Sequence, residues 1–198
     1  DIEQESERLA RITENLLRLT RLDSGALPEA QMVDIATVIA RVVRMLRLVA
    51  EEKQVDLSYE IRREGKTLAS EDELNEIIYN LTENAIKYNR PGGFVRVALA
   101  GDEETCLLTV SDNGVGIPEE DMPRIFDRFY RVDKARSRES GGTGLGLSIA
   151  REIVQRHHGT ITLAPHEGPG TTVRLELPIT QPAPGAPEDT AESTSDQQ

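Results

Sequence analysis

Two glycine-rich turns join opposite kinds of secondary structure in this chain, and that limits the folds open to it. Asp112-Asn113-Gly114-Val115-Gly116-Ile117-Pro118 follows the alternating segment Thr105 to Ser111, the period-two signature of a half-buried strand. Gly141-Gly142-Thr143-Gly144-Leu145-Gly146-Leu147 runs straight into an apolar-periodic segment, a helix from Leu145 to His158. Glycine lets backbone amides come close to a ligand and permits positive φ. Amides at a helix N-terminus attract anions. The carboxylate in the first turn repels phosphate, but it can accept a hydrogen bond from an exocyclic amine. The pair therefore points to a nucleotide, with its base at Asp112 and its phosphates near Gly142 to Gly146.

The rest of the pattern is α+β. Residues 1–22 read as a helix whose apolar positions Ile2, Leu9, Ile12, Leu16 and Leu19 form a narrow a/d stripe, interrupted at Glu5. Such a stripe must be covered, either by its own domain or by other helices; its strict spacing favours a bundle. Gly25 and Pro28 stop the helix. Residues 31–178 read as one domain. Met32 to Asp34 is a short strand and Ile35 to Lys53 a helix with one apolar face. Val55 to Ile61 alternates, and Thr67 to Ala69 is extended. Ser70 opens a helix to about Lys87, with Glu73 completing a capping box. Pro91-Gly92-Gly93 turns the chain into a hairpin of Phe94 to Ala100 and Thr105 to Ser111, and Thr160 to Ala164 with Thr171 to Leu177 forms a second. Hairpins make the sheet mixed and mainly antiparallel, with helices on one face. Beyond 178 the sequence holds no basic residue and almost nothing apolar, so 179–198 is expected to be a disordered acidic tail.

A net charge of −12 over 198 residues argues against a nucleic-acid partner. No apolar run approaches the roughly 20 residues that cross a bilayer. The single cysteine, Cys106, lies in an apolar strand and fits a reducing compartment. The histidines and the cysteine make no metal-ligand spacing.

On the helix from Ser70, Asn80, Asn84 and Lys87 fall at i, i+4 and i+7 and share a face. Amide oxygens suit Mg²⁺, which is commonly shared with substrate phosphates. Lys87 would meet those phosphates as a point charge. Arg124, Arg128, Arg131, Lys134, Arg136 and Arg138 crowd one short stretch of an otherwise acidic chain. With Ile125, Phe126, Phe129 and Tyr130 they suggest a short aromatic helix followed by a mobile basic lid over triphosphate.

These motifs, in this order, resemble the catalytic and ATP-binding domain of bacterial sensor histidine kinases: an asparagine box at Asn80 to Tyr88, a first glycine box at Asp112 to Pro118, a phenylalanine box at Phe126 to Phe129 and a second glycine box at Gly142 to Gly146. Residues 1–25 are similar to the second helix of that family's dimerisation and phosphotransfer hairpin. The resemblance implies a Bergerat-type α/β sandwich that binds ATP and Mg²⁺. Asp112 would bind the adenine amine, and Asn84 with Asn80 would hold the metal. Lys87 and Arg131 would face the phosphates, and Tyr88 would lie near base or ribose. Gly114 and Gly116 would let the backbone pass the adenine. Gly142, Thr143, Gly144, Leu145 and Gly146 would serve phosphates and lid, with Phe126 and Phe129 beside them.

Gyrase-type and chaperone-type ATPases share the fold but carry a glutamate where this chain has Asn80. An amide is a poor base for activating water, which favours phosphoryl transfer over hydrolysis. The family's acceptor histidine, followed by glutamate, has no match here: His157 and His158 end a helix, and His166-Glu167-Gly168-Pro169 is a turn. The acceptor is therefore expected on a helix upstream of Asp1. The implied partners are that helix, a second copy paired through residues 1–22, and the receiver domain of a response regulator. The implied setting is the cytoplasmic part of a membrane-anchored parent. A hydrolytic ATPase and a nucleotide-free docking module are the competing readings.

Overall fold

In the computed structural model, residues 30–132, 143–166 and 168–179 are described, with Ser6, Ala10, Thr13, Leu17 and Thr20 as isolated, exposed helical positions. The apolar stripe from Ile2 to Leu19, the stop at Gly25, the basic residues Lys134, Arg136 and Arg138, Gly142, and the tail from Thr180 lie outside them.

Two hairpins and one crossover build the main sheet. Strand β1 (Gln31–Asp34) leads into helix α1 (Ile35–Glu52), which Asp34 caps by accepting from the Ala36 amide at 3.1 Å. Strands β2 (Asp56–Ile61) and β3 (Lys66–Ala69) precede helix α2 (Glu71–Lys87). The hairpin of β4 (Phe94–Gly101) and β5 (Thr105–Asp112) follows. Helix α3 (Gly146–Arg156) then leads to the hairpin of β6 (Thr160–Leu163) and β7 (Thr171–Pro178). The five-stranded sheet runs β2-β4-β5-β7-β6, while β1 and β3 form a separate antiparallel ribbon. Only β2 and β4 pair in parallel, because α2 makes the crossover between them; every other pairing in the sheet is antiparallel. The α+β architecture expected from the hairpins is the one observed.

Strand parity decides where the core lies. Cys106, Leu108, Val110 and Asp112 of β5 are buried, while the alternate residues Thr105, Leu107, Thr109 and Ser111 are only partly covered. Val95, Val97 and Leu99 of β4 point to the same buried side. Against them pack Ile77, Ile78, Leu81 and Ile86 of α2, with α1 and α3 on its flanks. The helix layer covers this one face, and the other keeps Phe94, Arg96, Ala98, Thr109 and Thr172 around an open hollow of about 340 Å³.

Two local expectations change. Ser70 accepts from the Glu73 amide at 3.4 Å, but the Glu73 side chain does not return to close a capping box. Its carboxylate is taken by Arg156 and His157 at the far end of α3. The aromatic helix is also absent. Met122–Arg124 forms a single 3₁₀ turn, and successive i to i+3 bonds carry the chain to Tyr130 without an α-helical ladder. Phe129 turns to φ +64, which a continuing helix does not allow, and its amide donates to Gly144. The strand β7 includes Pro178, and the Ile179 amide donates to the Glu104 carbonyl at 2.8 Å, so the packed chain reaches one residue past 178.

Ile77 has no exposed surface and sits where α2 meets the sheet. Ile77→Ala should lower the unfolding free energy by about 2–5 kcal/mol, read as a lower urea midpoint with an unchanged slope. An unchanged midpoint would show that α2 does not carry the core.

Candidate nucleotide site

The central strand ends in the carboxylate that the sequence singles out. Asp112 is the last residue of β5 and lies opposite Thr171 on one side and Val95 on the other. It is 7% exposed. Its Oδ1 accepts from the Gly114 amide at 2.8 Å, the first bond of the glycine turn. Burial pushes the Asp112 pKa up from the ordinary carboxylate value; the Gly114 amide, the nearby His166 and the Thr171 backbone act against that. A desolvated carboxylate with acceptor capacity left over is suited to the amine edge of a base.

The first glycine turn is tied to the end of α2. The Val115 amide donates to the Tyr88 carbonyl at 3.1 Å, and the Asn113 side chain accepts from the Phe94 amide at 2.6 Å. A Cβ on Gly114 would stand 2.5 Å from the Tyr88 carbonyl oxygen, so the close approach itself requires glycine there. Gly116 needs it for conformation, at φ +74. This contact places Asp112 beside the C-terminal half of α2, where Asn80, Asn84 and Lys87 are partly exposed and Ile77, Leu81 and Ala85 are buried. The Lys87 ammonium lies 5.5 Å from the centre of the Tyr88 ring. Burial raises the Tyr88 pKa, and the charge of Arg131 opposes that, so Arg131 reaches the same corner. The Nε and Nη2 atoms of Arg131 are buried and have no hydrogen-bond partner among the described residues.

The second glycine turn meets α2 from the other side. The position of a Cβ on Gly146 falls 3.7 Å from the Asn80 amide, so the start of α3 lies against the asparagine box. Leu145, the cap residue of α3, has no side-chain oxygen and no side-chain bond caps the helix. Thr143 accepts from the Leu145 amide at 3.3 Å, and the Phe129 amide donates to Gly144 at 3.0 Å. The first turn of α3 thus carries no side-chain cap and lies beside Asn80, and a helix start of this kind attracts anions.

The sequence signature described as histidine kinase-, DNA gyrase B- and HSP90-like ATPase matches residues 69–181, which span α2, both glycine turns and the last four strands. The chain belongs to that ATPase family. It is similar to the sensor histidine kinase WalK of Bacillus subtilis, 37% identical over 179 residues, covering 89% of this chain and 29% of WalK. The chain spans less than half the length of the curated relatives it matches. Among solved structures it resembles a mycobacterial sensor histidine kinase, MprB, with a TM-score of 0.67 and 29% identity over 75% of this chain and 97% of that one. It also resembles full-length ShkA, determined in complex with AMPPNP, with a TM-score of 0.76 and 25% identity over 91% of this chain and 38% of that one. This ATPase-family domain is thus homologous to the ATP-binding catalytic domains of sensor histidine kinases, and its fold is the Bergerat-type sandwich.

Several of the residues singled out in the sequence come close to one another in pairs: Gly114 and Val115 meet Tyr88 at the end of α2, Lys87 and the charge of Arg131 reach Tyr88, and Gly146 lies against Asn80, with Thr143 bonded to the Leu145 amide beside it. Asn84 shares the helix face of Asn80, and Asp112 opens the first turn. Phe126 is half-buried, while the Phe129 ring is 56% exposed and only its backbone reaches the second turn. Two contributors escaped the sequence reading. Thr171 pairs with Asp112 across strands far apart in the chain, and nothing local marks it. Asn113 looks like an ordinary turn residue but pins the turn to β4.

A raised native pKa means that Asp112 adds to stability at pH below the ordinary carboxylate value of about 3.9 and loses that contribution as pH rises through the raised value. Asp112→Asn does not titrate. The stability difference should therefore shift in favour of the variant as pH increases from about 3 to neutrality, followed by urea denaturation. A pH-independent difference would mean that the carboxylate is not desolvated.

Proposed function

We propose that this domain binds Mg-ATP in the cleft between α2 and the two glycine turns and donates the γ-phosphoryl group to a histidine on another helix. The observation that carries the reading is Arg131. A guanidinium with two buried nitrogen atoms that find no partner among the described residues is expensive, and phosphate oxygens arriving at that corner would satisfy it. Asp112 accepts from the adenine amine, and Tyr88 lies near base or ribose. The amides at Gly146 and the glycines before it take phosphate oxygens, and Lys87 adds charge. Among the described residues no three His, Cys, Asp or Glu side chains cluster, so a metal would rely on the amide oxygens of Asn80 and Asn84 and on the phosphates themselves. Mg²⁺, when bound there, neutralises phosphate charge.

Asn80 and Glu83 argue for transfer rather than hydrolysis. An amide cannot deprotonate water, and Glu83 is engaged by the Tyr79 hydroxyl at 3.3 Å. In the transfer, the bond between the γ-phosphorus and its bridging oxygen breaks, a phosphorus–nitrogen bond forms at the imidazole, and ADP leaves. The protein's part is positioning and charge neutralisation. The histidines of this chain do not suit the acceptor role. His157 is buried against Glu73, His158 follows the end of α3, and His166 is bonded to Thr172. The acceptor therefore belongs to a separate helix of the parent protein, which pairs with a second copy through residues 1–22 and passes phosphate to an aspartate of a receiver domain. The parent is anchored in a membrane with this domain in the cytoplasm; among the described residues no helix is long and apolar enough to cross one.

Calorimetric titration with ATP, with and without Mg²⁺, tests the site. The intact chain should bind saturably, Asp112→Ala should abolish binding, and Asn84→Ala should remove the dependence on Mg²⁺. Absence of binding in the intact chain would sink the reading and favour a nucleotide-free docking module. Steady phosphate release abolished by Asn80→Ala would favour a hydrolase.

A further inference from the structure

A buried carboxylate outside the cleft joins the two helices that form it. Glu73 lies in the first turn of α2 and is 8% exposed; its Oε1 accepts from Arg156 at 3.1 Å and its Oε2 is 2.8 Å from Nε2 of His157. His157, the cap residue at the end of α3, is 5% exposed. These groups are more than 80 positions apart in sequence, so the cluster is a tertiary tie and not a helix-end accessory.

Its position gives it a consequence in the cleft. The N-terminal end of α2 meets the C-terminal end of α3 at Glu73, while the middle of α2 meets the start of α3 where Asn80 lies against Gly146. On α2 the two contacts are about 10 Å apart along the axis. Two points of contact fix how far one helix is advanced along the other. The helix advance in turn sets where the first turn of α3 stands relative to Asn80 and Asn84. A bidentate charged tie holds that setting better than apolar packing, which tolerates sliding between near-equivalent ridges. The carboxylate is also committed: with Arg156 and His157 in place its two oxygens are taken.

We infer that Glu73 is a positioning residue for the phosphate half of the nucleotide site, acting through α3. It holds the second glycine turn in register with the asparagine box and leaves the base half, built on β5 and the first glycine turn, unaffected. The inference rests on the nucleotide reading above and specifies which part of the ligand feels the tie.

The test separates the two halves by ligand. Affinities for Mg-ATP and for adenosine are measured on the intact chain, Glu73→Gln and Glu73→Ala. Amide hydrogen exchange over residues 146–149 is measured on the same proteins without nucleotide. Glu73→Ala should weaken Mg-ATP on the order of tenfold, leave adenosine affinity within about twofold, and speed exchange at the start of α3. Glu73→Gln, which keeps the shape and one acceptor, should recover part of the Mg-ATP affinity. If Glu73→Ala does not fold, the Gln variant decides by the same split. Equal losses for both ligands, or no change in either ligand or in exchange, would overturn the inference. An intact chain that binds neither ligand would instead defeat the nucleotide reading, and the exchange result would then judge the tie alone.

Discussion

The antiparallel pairing of β5 with β4 on one side and β7 on the other is the constraint on which the candidate site depends. It makes β5 the most fully supported strand of the sheet, and Asp112 is its last rung. A carboxylate there is desolvated by its neighbours on both sides, which costs stability, yet it cannot move away because both flanking ladders hold its backbone. Everything else in the site is placed relative to that rung. Val115 fastens the first glycine turn to the end of α2, and α2 brings the asparagine box with it. The second turn then closes on Asn80. The functional geometry is thus a consequence of sheet topology first and of loop chemistry second.

Much of this was legible in the sequence because local periodicities matched local structure. The alternation of Thr105 to Ser111 is the observed β5, and the apolar face of Ile35 to Leu46 is the buried face of α1, though Val49 at its end is exposed and Ala50 is buried instead. The spacing of Asn80, Asn84 and Lys87 was enough to place three polar groups on one helix face. The family signature and the solved structures agree with the motif order from which the kinase resemblance was read.

What the sequence hid was long-range. Glu73 reads as half of a capping box, since it stands three positions after Ser70, but its side chain has a stronger partner in Arg156 at the end of α3. His157 reads as a dipole-favoured helix end, and it is that, but its ring also closes the cluster with Glu73. Thr171 carries no local mark at all and is found only through the register of β5 and β7. The run Ile125 to Tyr130 has helical composition, yet the need to reach Gly144 forces Phe129 into a left-handed conformation. In each case a tertiary partner outweighed a local preference.

The parity of β5 carries a consequence for how such a domain can be elaborated. Asp112 faces the helices, and Ser111, one peptide bond earlier, faces the uncovered side of the sheet, where Thr172 donates to it at 3.0 Å. The buried and the outer face of the sheet are therefore separated by the thickness of a single strand. Additions grafted onto that outer surface would press upon the backbone that carries the buried Asp112 carboxylate on its other side. Growth of the architecture on its outer side is thus mechanically coupled to the strand that ends in Asp112.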